Sequence, residues 1–336
     1  MLNPAQSEQF ARWIPSSYGE VEVQGEAAPA RVGIVVPVFG RPQYVRRCLE
    51  SLAGSDLRDC IVCLVDESVS DLSPPDFPGF EALSGLDSPG GDLGPLQGKT
   101  VPEIAAHALE MPDCVAFNSN GWLKSRLRFL PRRSPGLTLY IRSDRVPTHW
   151  RWFAQRFEPR PCPETSNLVR NWNPPGVRCV KIFKRRHGSM FDSLAHGWRL
   201  LAEAYGCPLL MSLDSDTLVK RGWVKRVVDV YDQNRLTVDS PMLVTGFHSP
   251  NHRTLGTKST FRVKKSMGGL NMLFDLETWK DHVEPCLINL QWDSELCRKV
   301  NDVGGIMLAT RPSVVQHIGR FGVWSGFFRF DRAWDY

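Results

Sequence analysis

The feature that most constrains the fold is a strand, a helix and a second strand within about 35 residues near the start of the chain. Residues 31–40, RVGIVVPVFG, are a β-branched run typical of a strand buried on both faces. RPQYVRRCLESLAGS follows with apolar residues at helical spacing, and CIVCLVDES then reads as a second buried strand that ends at Asp66. This βαβ unit predicts an α/β fold with a Rossmann-like, mostly parallel central sheet flanked by helices.

The alternation of helices and strands resumes in the second half of the chain. FDSLAHGWRLLAEAYG predicts a helix directly before the buried strand PLLMSL, and three further strand-and-helix segments follow up to VVQHIG. Residues 71–99 and 237–265 read as loops. We therefore expect an α/β domain formed by residues 31–72 and 177–320, a large basic insertion at 73–176, an N-terminal arm at 1–30 and a C-terminal tail at 321–336.

The composition is that of a globular protein, with 42% hydrophobic residues in 336. No apolar run approaches the roughly 18 residues of a membrane span, and the first ten residues lack the pattern of a signal peptide, so we expect a cytoplasmic protein. The nine cysteines show no framework spacing. Cys60 and Cys63 point to opposite faces of one predicted strand, which favours free structural thiols over a zinc site.

The charge is distributed unevenly. Residues 121–187 contain sixteen Lys and Arg against three acids, a net +13 in a chain whose total is +5. Aromatic residues are interleaved with these cations, and residues 253–265 are also basic. Cations that neutralise phosphates beside aromatic rings that stack on bases are typical of nucleic-acid binders, so both segments are predicted to contact DNA. The alternative for any single aromatic residue is a place in the core.

Acidic residues follow two of the predicted strands. Asp66 ends one strand, and Asp214 and Asp216 follow another. In open α/β sheets ligands bind at the carboxyl ends of strands, and two aspartates one residue apart can share a hard divalent cation. His317, which closes a later apolar run, would favour Mn²⁺ over Mg²⁺ alone. The structural alternatives are a strand end with a helix cap for the aspartates and an ordinary core or surface histidine for His317.

Six short stretches occur in the order found in glycosyltransferases of the GT-A type, and the chain resembles the family-two members of that group. They are IVVPVFGRP with the helix YVRRCLESL, LVDES, LDSDT, MGGLNMLFD, WDSEL and VVQHIG, within residues 31–72 and about 180–320. The resemblance implies a GT-A fold and a nucleotide-sugar donor, most commonly UDP-linked. The donor-binding residues that it implies are Pro37, Asp66, Asp214, Asp216, Gly268 and Gly269.

The resemblance also implies roles for single side chains. Asp66 would contact the nucleotide base, while Asp216 and His317 would bind Mn²⁺ or Mg²⁺ with Asp214 beside the ribose or the ion. Asp293 would be the catalytic base, with Glu295 nearby. Its alternative role is that of a helix N-cap. A base that acts opposite the leaving group would give an inverted product.

The basic insertion departs from the family pattern and bears on the acceptor. A nucleic-acid acceptor would make the chain similar to phage-type enzymes that glycosylate hydroxymethylated pyrimidines in DNA, and this is the acceptor predicted here. The alternatives are a transferase acting on a surface polysaccharide or lipid, and a non-catalytic nucleic-acid-binding protein. GPLQGKT at 94–100 has the wrong spacing for a phosphate-binding P-loop and follows no predicted strand. The glycine-rich, arginine-containing loop of sugar nucleotidyltransferases is also missing, because VFGRPQ matches it poorly.

Overall fold

The computed structural model describes residues 19–25, 30–68, 75–96, 99–151, 161–184, 190–236, 239–287, 292–319, 331–333 and 335–336. Its strands are β1 (Gly19–Gln24), β2 (Val32–Val38), β3 (Cys60–Asp66), β4 (Phe80–Asp87), β5 (Asp92–Pro95), β6 (Ala116–Asn118), β7 (Trp122–Lys124), β8 (Arg132–Arg142), β9 (Arg178–Lys184), β10 (Leu209–Ser212), β11 (Thr217–Val219), β12 (Met242–Thr245), β13 (Thr254–Thr257), β14 (Phe261–Lys264), β15 (Leu273–Asp275), β16 (Ile306–Thr310) and β17 (Val315–His317).

Six helices of nine or more residues accompany these strands in the described part of the chain. They are α1 (Pro42–Ala53), α2 (Val101–Glu110), α3 (Pro163–Asn171), α4 (Met190–Arg199), α5 (Trp223–Arg235) and α6 (Trp292–Asp302). A π-helical turn, Leu200–Ala204, continues α4, and a short irregular helical segment spans residues 276–286. The helices predicted within residues 41–55 and 191–206 are thus present. The architecture is mixed α/β.

The large sheet has ten strands in the order β1-β9-β3-β2-β10-β15-β12-β16-β14-β13. The four strands β9, β3, β2 and β10 run parallel, as does the pair β12 and β16. The prediction of a mostly parallel sheet holds for this central part and is wrong for the whole, because five of the nine neighbouring pairs are antiparallel. The physical reason is local: β13 and β14 form a hairpin, and the short strand β15 inserts between two parallel units.

Helices cover both faces of the parallel strands, which explains their continuous apolar sequences. Along β3, Cys60, Val62 and Leu64 belong to a buried cluster that also includes residues of α1 and α5, and Ile61 and Cys63 belong to a second cluster that includes residues of α4 and α6. All nine cysteines are free thiols, and eight of them are buried. The prediction of structural thiols on opposite faces of β3 is therefore confirmed.

A second sheet, with strand order β4-β8-β6-β7-β5, is formed within the predicted insertion. Reading residues 71–99 as a loop was wrong, since β4 and β5 lie there. Glycine, serine and aspartate obscure the strand signal in FEALSGLD, and β4 depends on the long partner β8. Residues 237–265 were also wrongly read as a loop, because β12, β13 and β14 lie there and are paired in the large sheet.

Both ends of the chain contribute to the described structure. Residues 19–24 of the predicted arm add an edge strand antiparallel to β9. Near the other end, Asp331 accepts a hydrogen bond from Ser249 Oγ (2.8 Å), and Asp335 pairs with Arg262 (2.7 Å). Within the basic residues 121–187, residues 148–151 are helical, while residues 152–160 and 185–187 lie outside the described residues. Across the described segments, no helix has the length and apolarity needed to cross a membrane.

Candidate active site

The acidic residues predicted at strand ends lie along one edge of the large sheet. β2 and β3 are parallel with Val38 opposite Asp66, and β10 is parallel to β2 with Ser212 opposite Val35. The carboxyl ends of these strands therefore share an edge, where β2 and β10 diverge toward different connections. This is the position at which open α/β sheets bind ligands.

His317 reaches this edge through a small antiparallel pair. β11 and β17 pair with Thr217 opposite His317, and the backbone N–H of Ile318 donates to the Asp216 carbonyl oxygen (2.9 Å). The His317 Nε2 atom lies 3.5 Å from Asp216 Oδ1. Two residues that are about a hundred positions apart in sequence are thus brought into direct contact.

Asp216 is held between two basic groups. Its side chain is only 6% exposed, and Arg41 Nη1 donates to its Oδ2 atom (2.8 Å). Burial opposes ionisation of this carboxyl, but the hydrogen bond with His317 and the charge of Arg41 outweigh it, so the pKa of Asp216 is lowered. Burial disfavours the charged form of His317 as well, yet Asp216 raises the pKa of the imidazole. The pair therefore favours an ionised carboxylate.

Asp214 has a different environment from Asp216. Its backbone N–H donates to the Leu270 carbonyl oxygen (2.9 Å), and its own carbonyl accepts from Thr217 Oγ1 (2.7 Å). Burial and the neighbouring Asp216 raise the pKa of the Asp214 carboxyl to about 7, with a further contribution from Asp293. Asp214 therefore loses its proton less readily than Asp216, and Asp216 is the carboxylate that pairs with Arg41 and His317.

Sequence reasoning missed Arg41. Gly40 and Arg41 both have left-handed backbone conformations, with φ of 55° and 51°. For a non-glycine residue this conformation costs about 1–2 kcal/mol, and such strain concentrates at functional sites. The strained turn directs the guanidinium at Asp216. An arginine between a glycine and a helix-starting proline was the available signal, although no role was assigned to Arg41 within IVVPVFGRP.

Gly319 leaves room for the Asp216 carboxylate. A Cβ atom at this position would lie 2.0 Å from Asp216 Oδ2, 2.7 Å from Asp216 Cγ and 3.0 Å from His317 Nε2. No side chain larger than hydrogen fits there without moving the carboxylate. The glycine after VVQHI is therefore a second residue of the site that sequence reasoning missed.

Asp66 is fully buried at the end of β3. Its Oδ1 atom accepts from the Ser68 backbone N–H (2.8 Å), while Oδ2 accepts no hydrogen bond of good geometry within the described parts of the chain, and the Ser166 hydroxyl lies close to the carboxyl group. Burial raises the pKa of this carboxyl. A buried carboxylate oxygen with unused lone pairs at a ligand-binding edge can accept a hydrogen bond from an N–H group of a bound molecule. Pro37, which is partly exposed, lies one residue before the end of the neighbouring β2.

Asp293 lies in the first turn of α6, beside the Gly268–Gly269 pair. Its Oδ2 atom accepts from the Gly269 backbone N–H (3.1 Å), and its Oδ1 from the Ser294 N–H (2.7 Å). A Cβ on Gly269 would lie 2.3 Å from the Trp292 ring, so only glycine permits this close approach. The Gly269 carbonyl in turn accepts from Ser212 Oγ (2.8 Å), which ties Asp293 to the end of β10.

His252 shares the space next to Asp293 and was also missed. The position that a Cβ on Gly268 would take lies 3.6 Å from His252 Nε2 and 3.9 Å from Asp293 Oδ2. The other ring nitrogen of His252, Nδ1, is 2.8 Å from Ser266 Oγ, which fixes the imidazole. By contrast, Glu295 pairs with Lys299 one turn later in α6 (3.7 Å).

Several of the cations of residues 121–187 are paired with other groups of the protein. Five of them pair with acids from outside that segment: Lys124, Arg151, Arg170, Lys181 and Lys184. Arg142 donates to backbone carbonyls at the end of α2. The surface charge is therefore smaller than the sequence count suggests. Some aromatics of this segment are core residues, since Trp150 and Trp172 are buried, whereas Phe129 is 81% exposed.

The residues at the edge fit a divalent cation in part. Asp216 and His317 offer one oxygen and one nitrogen that lie 3.5 Å apart, and Asp214 adds a second carboxyl group close to Asp216. Within the described ranges, no group of three His, Cys, Asp or Glu side chains is arranged to hold a metal ion. The donor set therefore suits a cation that takes its remaining ligands from a bound phosphate group and water.

Comparison with known proteins gives little further information. No family model and no curated protein matches the chain. Among solved structures, the chain is similar to GalNAc-T7 crystallised with UDP, GalNAc and Mn²⁺, at 13% identity and a TM-score of 0.44. The match covers 89% of this chain and 45% of that one, so the chain spans less than half of the neighbour's length. No function is assigned on this likeness.

Proposed function

We propose that this protein is a metal-dependent glycosyltransferase that moves a sugar from a nucleotide sugar, with UDP-linked donors favoured, to a hydroxyl group. One observation carries the proposal. The Asp216 carboxylate is held between Arg41 and His317 at the ligand-binding edge of the parallel strands, and Asp293 is anchored to the same edge through Gly269. Arg41, His317 and a metal ion on Asp216 would bind the diphosphate. Asp293 is a separate carboxylate that can accept a proton.

Donor binding would involve residues at three strand ends. Asp66 Oδ2 would accept the imide N–H of the base, with Pro37 beside it and Gly268 and Gly269 along the sugar. Asp216 and His317 would hold Mn²⁺ or Mg²⁺, with Asp214 close to the ion or the ribose. When bound, the ion stabilises negative charge on the diphosphate, an effect worth several kcal/mol of barrier. Arg41 would add a second positive charge on the same side.

Asp293 would act as the catalytic base. The acceptor hydroxyl attacks the anomeric carbon, the bond between that carbon and the diphosphate oxygen breaks, and the hydroxyl proton passes to Asp293. A positioned carboxylate contributes about 10²- to 10⁴-fold to such a step. Because attack comes from the face opposite the leaving group, the anomeric configuration is inverted. His252 Nε2, fixed by Ser266, would hold the acceptor hydroxyl beside the base.

The acceptor is proposed to be polyanionic. The hairpin of β13 and β14 begins directly after His252 and carries the exposed cations Arg253, Lys258 and Lys265. Their position supports an anionic acceptor next to the base. Hydroxymethylated pyrimidine in DNA, as in phage-type DNA glycosyltransferases, is the acceptor that the sequence favours, with a lipid or surface polysaccharide as the alternative. If the acceptor is DNA, we expect this protein to be cytoplasmic.

The proposal is tested by incubating the full chain with nucleotide sugars and Mn²⁺. The acceptor is either hydroxymethylated DNA or a glycolipid extract, and mass spectrometry follows the gain of sugar. We expect transfer or slow hydrolysis of one donor, lost in Asp216→Asn. Failure to bind or hydrolyse any nucleotide sugar with Mn²⁺ would contradict the enzymatic role and leave a binding protein. Sugar on the lipid and none on the DNA would exclude the DNA acceptor.

A further inference from the structure

One exposed loop, residues 126–132, is not used by the proposed transfer reaction. Its sequence, RLRFLPR, connects β7 to β8 in the second sheet. Phe129 is 81% exposed and the adjacent Leu130 is 57% exposed. Single exposed apolar residues are common, but two large ones side by side at the tip of a loop form a protruding apolar site.

The backbone of this loop is fixed by the residues beneath it. The Phe129 carbonyl oxygen accepts from the Trp150 indole N–H (3.2 Å) and lies 2.6 Å from His149 Nε2. The Arg128 backbone N–H donates to Ser88 Oγ (3.0 Å). Trp150 is itself completely buried. Two backbone groups of the loop are therefore bonded to residues beneath it, and the side chains of Phe129 and Leu130 are exposed to solvent.

The charges around the tip differ from those of the rest of residues 121–187. Arg126, Arg128 and Arg132 are exposed, and none of them forms an ion pair within the described ranges, whereas other cations of the segment pair with acids. A fixed apolar tip surrounded by three such arginines is complementary to a surface that has both hydrocarbon and negative charge.

We propose that the 126–132 loop docks this protein on an anionic lipid surface, with Phe129 and Leu130 inserted at the headgroup level and the arginines on lipid phosphates. Two observations favour lipid over a nucleic acid. Leu130 has no ring on which a base could stack, and one side of the Phe129 ring is occupied by His149, with ring centroids 5.2 Å apart. The proposal does not depend on the glycosyltransferase activity.

The test is co-sedimentation of the full chain with vesicles of phosphatidylcholine alone or mixed with phosphatidylglycerol. We expect binding only to the mixed vesicles, weakened by salt because the arginine contribution is screened. Phe129→Ser with Leu130→Ser should lower the partition coefficient at least about tenfold. Arg126→Gln with Arg128→Gln should lower it about twenty-fivefold, since each basic residue near such a surface contributes about fivefold.

Leu236→Ser is the matched control, because Leu236 is 90% exposed on another part of the molecule. This variant should bind vesicles like the wild type. All substituted side chains are exposed, so thermal unfolding should be unchanged. The proposal would be overturned if the wild-type protein did not bind anionic vesicles. It would also be overturned if the Phe129 and Leu130 double variant bound them as strongly as the wild type. Loop-dependent binding to a labelled single-stranded oligonucleotide without vesicle binding would assign the loop to nucleic acid instead.

Discussion

Replacing Gly319 by alanine should disable the site while leaving the fold intact. The added Cβ would lie 2.0 Å from Asp216 Oδ2 and 2.7 Å from Asp216 Cγ, although such contacts are not shorter than 3.0 Å in real proteins. The carboxylate must therefore move by about 1 Å or more, because the surrounding packing is dense. This shift breaks the 2.8 Å hydrogen bond from Arg41 and changes the position of Asp216 relative to His317.

A displacement of about 1 Å in a catalytic group can cost about 10²-fold in rate, which corresponds to about 2.7 kcal/mol. We expect kcat/KM for hydrolysis of the donor to fall by that factor in Gly319→Ala. The half-saturating Mn²⁺ concentration should rise about 10- to 100-fold. A coupled assay for released nucleoside diphosphate, run across a Mn²⁺ series, measures both quantities.

Gly54→Ala provides the control for a glycine-to-alanine change as such. Gly54 ends α1 with an ordinary φ of −78°, and the nearest atoms to its added Cβ are 3.7 Å away. Its kinetic constants should equal those of the wild type. If Gly319→Ala kept both the wild-type kcat/KM and the wild-type Mn²⁺ dependence, Asp216 would not be the residue on which donor activation depends.

Three further predictions follow from the same geometry. Asp293→Asn should lower kcat by about 10²- to 10⁴-fold with nearly unchanged donor affinity, measured by initial rates and donor titration, and a weakened donor affinity with normal kcat would remove Asp293 from the role of base. Gly268→Ala should raise the KM for the acceptor more than the KM for the donor, because its methyl group would lie 3.6 Å from His252 and 3.9 Å from Asp293, between the donor sugar and the acceptor hydroxyl; a larger effect on the donor than on the acceptor would remove His252 from the acceptor side. Lys184→Met should lower the free energy of unfolding by about 3–5 kcal/mol in urea denaturation, since buried Glu67 loses its partner at 2.8 Å, and a change under about 1 kcal/mol would show that this pair is not important for stability.

The strong periodic signals predicted the central fold, and the weak ones did not. β2, β3 and α1 were predicted because their apolar periods are uninterrupted and the strands are buried on both faces. β4, β13 and β14 were missed, since antiparallel edge and hairpin strands owe their conformation to partners that are distant in sequence or to exposed residues without an apolar pattern.

The sequence predicted the site residues whose side chains can bind a metal ion. It did not predict the residues whose role depends on contacts that form only in the folded protein. Asp216 and His317 were selected as metal-ligand types, and the structure brings them together through the pairing of β11 with β17. Arg41 reaches the site because of its left-handed backbone conformation, and Gly319 because its backbone passes close to Asp216. Neither property can be read from the identity of a residue in the sequence. The net +13 of residues 121–187 overstated the basic surface, because its neutralising acids, such as Glu22 and Glu81, come from other parts of the chain.

The most direct test of the account is calorimetric titration of UDP into the protein with and without Mn²⁺, in the wild type and in Asp216→Asn. If the acidic edge binds a cation that carries a nucleoside diphosphate, wild-type protein binds UDP tightly only with Mn²⁺, and the variant loses this gain. UDP binding of equal strength without Mn²⁺, or an undiminished effect of Mn²⁺ in Asp216→Asn, would contradict the central claim.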